Sequence, residues 1–281
     1  MDFFQVIIQG VRRINFAQGI GAIGAALTAP LGGWFILNLF EGNIFGGIKY
    51  FYLILTGLFL LLAALVKTAP MPANPTETKK EEKLPDRWGA FRYPHFVYGF
   101  IIMFFYMGAE AILYQLMTPY FKEIGKISTA EAVRFSAIIF YGLMTGRLLG
   151  AWVMTKLKPS KILGSFALIA AMLVLFSMVS GGQAGIYAIT AIGFFISIMF
   201  ASIFSLATTN LGIYTNQASS LLIMGISGGF FVPLLFGVVA DSFSLRISLL
   251  VVAVPLLATS AYGFLFNRIV AKNNFSKTNN K

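Results

Sequence analysis

The chain has 281 residues, of which 58% are hydrophobic and 11% charged, with a mean hydropathy of +0.80, which excludes a soluble globular domain. Cysteine is absent and His95 is the only histidine, so disulfides and thiolate catalysis are removed, and a histidine metal site or triad is argued against; no metal or cofactor is expected. The net charge of +11 could suggest nucleic acid, but basic loops of a membrane protein account for it, and no nucleic-acid partner is needed.

In chain order, Met1 to Val11 has neither a small-residue cleavage site nor a long apolar core, so it does not read as a signal peptide. Eight apolar spans follow, over 12–40, 48–66, 94–121, 130–155, 160–179, 184–209, 216–240 and 244–267. Each predicts a helix rather than a barrel strand, because the runs are about 20 residues or longer and do not alternate. The fold class is therefore an all-α polytopic membrane protein. Between the second and third spans, residues 67–93 turn polar and Pro-rich and read as a linker, with a short amphipathic piece around Trp88 and Phe91. Residues 268–281 read as a basic, disordered tail.

With the start of the first span placed inside, sixteen Lys and Arg fall on cytoplasmic segments, Arg147 among them. Five, Lys49, Lys122, Lys126, Arg134 and Arg246, fall outside. This asymmetry supports eight spans with a cytoplasmic C-terminus.

The third span carries the chemistry. At 1.5 Å per residue it is about 42 Å long, enough to cross a hydrocarbon core of about 30 Å. Glu110 lies near its middle, where a carboxylate costs about 2.5–3.5 kcal/mol on insertion scales and so must face a cavity or a partner. Tyr106, Glu110, Tyr114 and Met117 share one helical stripe, aromatic and hydrogen-bonding around a single acid, as a polar-solute pathway requires. A Glu capped for packing by a neighbouring helix is the plainer alternative. In the first span Gln18 suits a sugar hydroxyl or interhelical glue equally, and Asn15 reads as structural. Phe204 offers an aromatic face for a pyranose or simply packs the core. Gly225, Gly228, Gly229 and Pro233 mark a closely packed, kinked span, and Asp241 is expected to pair with Arg246.

Gly146-Arg147-Leu148-Leu149-Gly150, followed by Lys156, Lys158 and Lys161, resembles the short loop motif of the major facilitator superfamily. In that register the fourth and fifth spans are the superfamily's eighth and ninth helices, and Arg147 is a cytoplasmic gate residue; an ordinary positive-inside anchor is the alternative. Arg13 to Gln18 followed by Gly21 and Gly24 is similar to the fifth helix of the fucose:proton symporter family, which includes glucose/galactose permeases. Phe105 to Glu110 resembles its seventh helix, Gly193 to Leu206 its tenth, and Ala218 to Asp241 its eleventh. Two positions depart from the family's pattern. Gly21 stands where many relatives carry a sugar-contacting Asn, and Ala201 where they usually carry Pro, so the individual sugar does not follow.

The resemblance implies a major facilitator fold, with residues 1–66 as the last two helices of the N-terminal bundle, 67–93 as the cytoplasmic linker, 94–267 as the C-terminal six-helix bundle and 268–281 as the cytoplasmic tail. It implies proton-coupled uptake of a monosaccharide of fucose, glucose or galactose type by alternating access in a bacterial inner membrane. Glu110 is the candidate for substrate binding and proton coupling, with Tyr106, Tyr114, Gln18 and Phe204 lining the site. The resemblance begins at the family's fifth helix, so the expected partners are sugar, proton, the lipid bilayer and the family's first four helices. The alternatives are a truncated facilitator with no transport of its own, and a facilitator for another polar metabolite or a drug. An integral membrane enzyme is not expected, because clustered catalytic groups are lacking.

Overall fold

A computed structural model describes residues 13–21, 24, 31, 35, 44–69, 86, 88–154 and 157–278, and all regular structure among them is helical. The first expected span, 12–40, is helical at 13–21 (α1) and at 24, 31 and 35; its other positions, like most of the linker, lie outside the described residues. There follow α2 (Ile44–Thr68), α3 (Pro94–Gln115), α4 (Met117–Gly125), α5 (Thr129–Val153), α6 (Pro159–Ser180), α7 (Gly182–Ile196), α8 (Met199–Ala207), α9 (Thr215–Met224), α10 (Gly228–Ser242) and α11 (Leu250–Thr278). Six helical segments among the described residues are long and apolar enough to cross a membrane, and seven if α7 and α8, bent by 40°, form one broken span.

Local chemistry places these ends. Pro94 and Pro159 open α3 and α6 at the position where the missing N–H costs nothing. At the start of α5, Ser128 and Glu131 form a capping box: the Ser128 Oγ accepts from the Glu131 N–H at 3.3 Å, and the Ser128 N–H donates to Glu131 Oε2 at 3.0 Å. At the other end of the chain, α11 runs through Thr278, where a disordered tail from residue 268 was expected. No Gly or Pro interrupts residues 264–278, so nothing local stops the helix there.

The described residues of Gly24–Pro85 form one unit, built on α2. Nothing in the most apolar stretch of that helix is buried. Those of Met1–Ile23 and Asp86–Lys281 form the other unit. Within it α6 packs on α11 and α7, α5 on α7, and α3 on α10, α11 and α8. Lipid supplies no hydrophobic drive between helices, so close backbone approach holds the crossings. At the α6–α11 crossing, a Cβ on Gly263 would lie 2.5 Å from the Gly164 nitrogen. The linker's last turn, Gly89–Arg92, is docked on this unit, with the Ala90 N–H donating to Gln217 Oε1 at 3.1 Å. Trp88 and Phe91 pair there, rings 5.7 Å apart, with Trp88 exposed.

Candidate functional site

The site begins where a helix stops. Between α7 and α8 the backbone ladder is interrupted at Ser197 and Ile198, which frees carbonyls in the middle of an apolar span. In lipid such groups need partners. The Tyr106 hydroxyl donates to the Ile196 carbonyl at 3.0 Å, and the Arg147 Nε donates to the Ser197 carbonyl at 3.3 Å. The Ser197 hydroxyl turns back to the Phe194 carbonyl at 2.7 Å. Gly146 is what lets α5 come this close, since a Cβ there would meet the Phe194 carbonyl oxygen at 2.5 Å.

Glu110 lies one turn beyond Tyr106 on α3 and is buried, 4% exposed. Its Oε1 accepts the Tyr114 hydroxyl at 2.5 Å, within the range of hydrogen bonds to an ionised carboxylate. Arg147 Nη2 stands 3.9 Å from the same oxygen. At that separation and an effective dielectric of about 20 the bare Coulomb attraction is about 4 kcal/mol, which the cost of burying both charges offsets in part. The third edge of the guanidinium, Nη1, donates to the Gln18 carbonyl of α1 at 3.4 Å. One side chain therefore touches α1, α3 and the α7–α8 break.

The structure brings Glu110, Tyr106, Tyr114, Arg147 and Gln18 together. The Gln18 Oε1 is buried without a hydrogen-bond partner, as is the Asn15 Oδ1, although the Asn15 Nδ2 lies 3.5 Å from the Met154 sulfur. Phe204 stands apart from this group, half-buried in α8 and stacked on Phe200 with ring centroids 6.1 Å apart. Arg147 was expected at a cytoplasmic turn. It lies instead inside α5, six residues before the helix ends, with its side chain 14% exposed. Met117 was expected on the Glu110 stripe; α3 ends at Gln115 and α4 restarts at Met117, which is fully buried in the core. The expected Asp241–Arg246 pair is not among the ion pairs of the described residues: Arg246 lies over the end of α6, where a Cβ on Gly181 would be 2.8 Å from its Cζ. Helix C-terminal carbonyls attract a guanidinium there. Sequence reasoning missed Ser197 and the break itself, which no Pro or Gly marks. Its one signal was a hydroxyl residue one turn past Gly193.

Compared with known proteins, the chain matches the profile of the Major Facilitator Superfamily over residues 11–232, which includes every residue of this site. The chain belongs to that superfamily. As a facilitator it is a multi-pass membrane protein. It is 36% identical over 208 residues to a Helicobacter pylori protein provisionally named a glucose/galactose transporter, an alignment covering 73% of the chain and 50% of the relative. To the L-fucose-proton symporter of Escherichia coli it is 27% identical, over 82% of the chain and 58% of that protein. The chain thus spans about half the length of the relatives it matches. Both are transporters, not enzymes. The crystal structure of the facilitator FucP in the outward conformation aligns with a TM-score of 0.77 at 24% identity, over 92% of the chain and 69% of FucP, which establishes the fold.

Proposed function

We propose that the chain serves proton-coupled uptake of a monosaccharide by alternating access, in a bacterial inner membrane with its C-terminus in the cytoplasm. The observation that carries this reading is the Glu110–Arg147 pair held against a broken helix. Discontinuous helices near the midplane are where secondary transporters of several folds bind solute and ion. Glu110 is the proton-exchanging group and a hydrogen-bonding partner for the sugar. Tyr106, Tyr114, Gln18 and Phe204 line the path, the partnerless Gln18 oxygen being one acceptor that a sugar hydroxyl satisfies. Protonation of Glu110 removes the charge facing Arg147. The guanidinium is then held by the Gln18 and Ser197 carbonyls alone, so the change at α3 reaches the α1–α5 contact, and Arg147 acts as the gate. The names of the aligned relatives support a sugar as cargo and a proton as driving ion.

Uptake of labelled L-fucose, D-glucose and D-galactose, with and without an inward pH gradient, tests this. The wild-type chain accumulates at least one sugar in response to the gradient, and Glu110→Gln abolishes the response. Wild-type pH dependence in Glu110→Gln would remove the proton role. A second reading is favoured by the half-length match to the relatives: the chain transports only with the other helices of a facilitator. It predicts uptake on co-expression with those helices and none without them.

A further inference from the structure

Beyond the Glu110 site, α4 carries a second polar contact that the reading above does not use. Thr118 lies four residues past Tyr114, beyond the α3–α4 interruption, and across from it on α5 lies Ser136. The Thr118 Oγ1 and Ser136 Oγ are 2.7 Å apart, and both residues are half-buried. Several helical hydroxyls in this chain fold back on the carbonyl four residues earlier, as Thr145, Ser180, Thr190 and Ser202 do, while Ser260 and Ser177 reach across to a neighbouring helix. Thr118 and Ser136 bond each other instead, across two helices. A hydroxyl has one donor hydrogen and two acceptor lone pairs, so this pair keeps a donor and three lone pairs beyond their mutual bond.

Below the pair, four residues back from Thr118 and four on from Ser136, Tyr114 and Phe140 lie ring against ring, centroids 5.1 Å apart and planes tilted by 30°. Below them come Glu110 and Arg147. The order from one membrane face inward is hydroxyl pair, aromatic pair, then acid and guanidinium. A pyranose presents the matching chemistry, with hydroxyls around its rim and apolar C–H faces. We infer that Thr118 and Ser136 form an outer subsite for a polyhydroxylated solute, where it first hydrogen-bonds before reaching Glu110. The subsite rests on the solute-transport reading and adds to it a first docking position. In the orientation set by the basic residues it opens to the outer side, next to the turn 125–128 between α4 and α5.

The absence of cysteine from the chain makes a direct test available. Ser136→Cys and, separately, Thr118→Cys each introduce the sole thiol, which a membrane-impermeant methanethiosulfonate reagent probes in intact cells. Phe140→Cys serves as a deeper position. The thiols at 118 and 136 react, and millimolar D-galactose or L-fucose slows the reaction several-fold. In parallel, Thr118→Val and Ser136→Ala raise KM for sugar uptake by about 3- to 10-fold, the loss of one hydrogen bond, with kcat unchanged. A pair that only holds α4 to α5 would instead lower the melting temperature and kcat, and leave KM alone. Thiols that do not react, or react without sugar protection while uptake keeps its wild-type KM in the Val and Ala variants, overturn the subsite and leave the transport reading standing. Absence of uptake, also on co-expression with the other helices of a facilitator, together with absence of protection at 118, 136 and 140 overturns both.

Discussion

Two helix crossings in the same unit use the same device and reach opposite ends. At the α6–α11 crossing, Gly164 and Gly263 bring the backbones together among Leu163, Ala167, Ala170, Val252, Ala253 and Leu256, all buried and apolar. The Ser260 hydroxyl, donating to the Gly164 carbonyl at 2.9 Å, satisfies itself within the seam. At the α5–α7 crossing, Gly142, Gly146 and Gly193 also bring backbones together, but the approach ends on an interrupted helix whose carbonyls are met by Tyr106 and Arg147. Glycine close packing is thus neutral as to function. What separates scaffold from site is whether the helix ladder it supports stays intact, because a broken ladder in lipid must recruit polar side chains, and those are then available to a solute.

Breaking the dry seam has the larger effect. Gly263→Leu drives a side chain into the Gly164 backbone, where no neighbour can rotate away; the cost is on the order of 3 kcal/mol or more, and the variant is not recovered as a monodisperse species by size-exclusion chromatography in detergent. Recovery with an unchanged melting temperature would mean that the two helices separate without penalty. At the polar crossing, Arg147→Met leaves a buried carboxylate facing no cation, which costs about 3–5 kcal/mol, and uptake is lost. The comparison is sharpened by Arg147→Met combined with Glu110→Gln, which removes both charges: the melting temperature returns toward wild type while uptake stays absent. A double variant as unstable as Arg147→Met alone would show that the guanidinium works through the Ser197 and Gln18 carbonyls rather than through Glu110.

The two crossings were also unequally legible. The seam helices follow from apolar length alone, and Glu110 with Tyr114 follows from an acid at lipid depth and the four-residue spacing. The position of Arg147 did not follow. Three lysines after Gly150 read as a turn, yet Gly150 does not stop α5, which runs on to Val153, so the arginine lies about 9 Å inside the helix end. The α7–α8 break is marked in sequence only by the Ser197 hydroxyl, which turns back on the Phe194 carbonyl. Ala201 stands where proline would have announced it, and the interruption is held by Tyr106 and Arg147, which lie 91 and 50 positions away from Ser197. Tertiary partners decide such a feature, and a one-dimensional reading does not contain them.

The smallest effect is expected where neither crossing is touched. The linker's end is held by the Gln217 side chain on the Ala90 N–H, with Gly89 seated against the Tyr214 ring. Ala90 is fully buried, so Gln217→Ala leaves that N–H without this acceptor, a local cost of about 1–3 kcal/mol. The cost falls on a turn outside both glycine crossings, so the melting temperature moves little and uptake stays at the wild-type level. Trypsin cleavage at Arg92 accelerates about 5- to 100-fold, because that local cost raises the population of the undocked turn. Unchanged digestion would assign the anchoring to the Gly89–Tyr214 contact, and Gly89→Ala, whose Cβ overlaps that ring, would then be the variant that frees the segment.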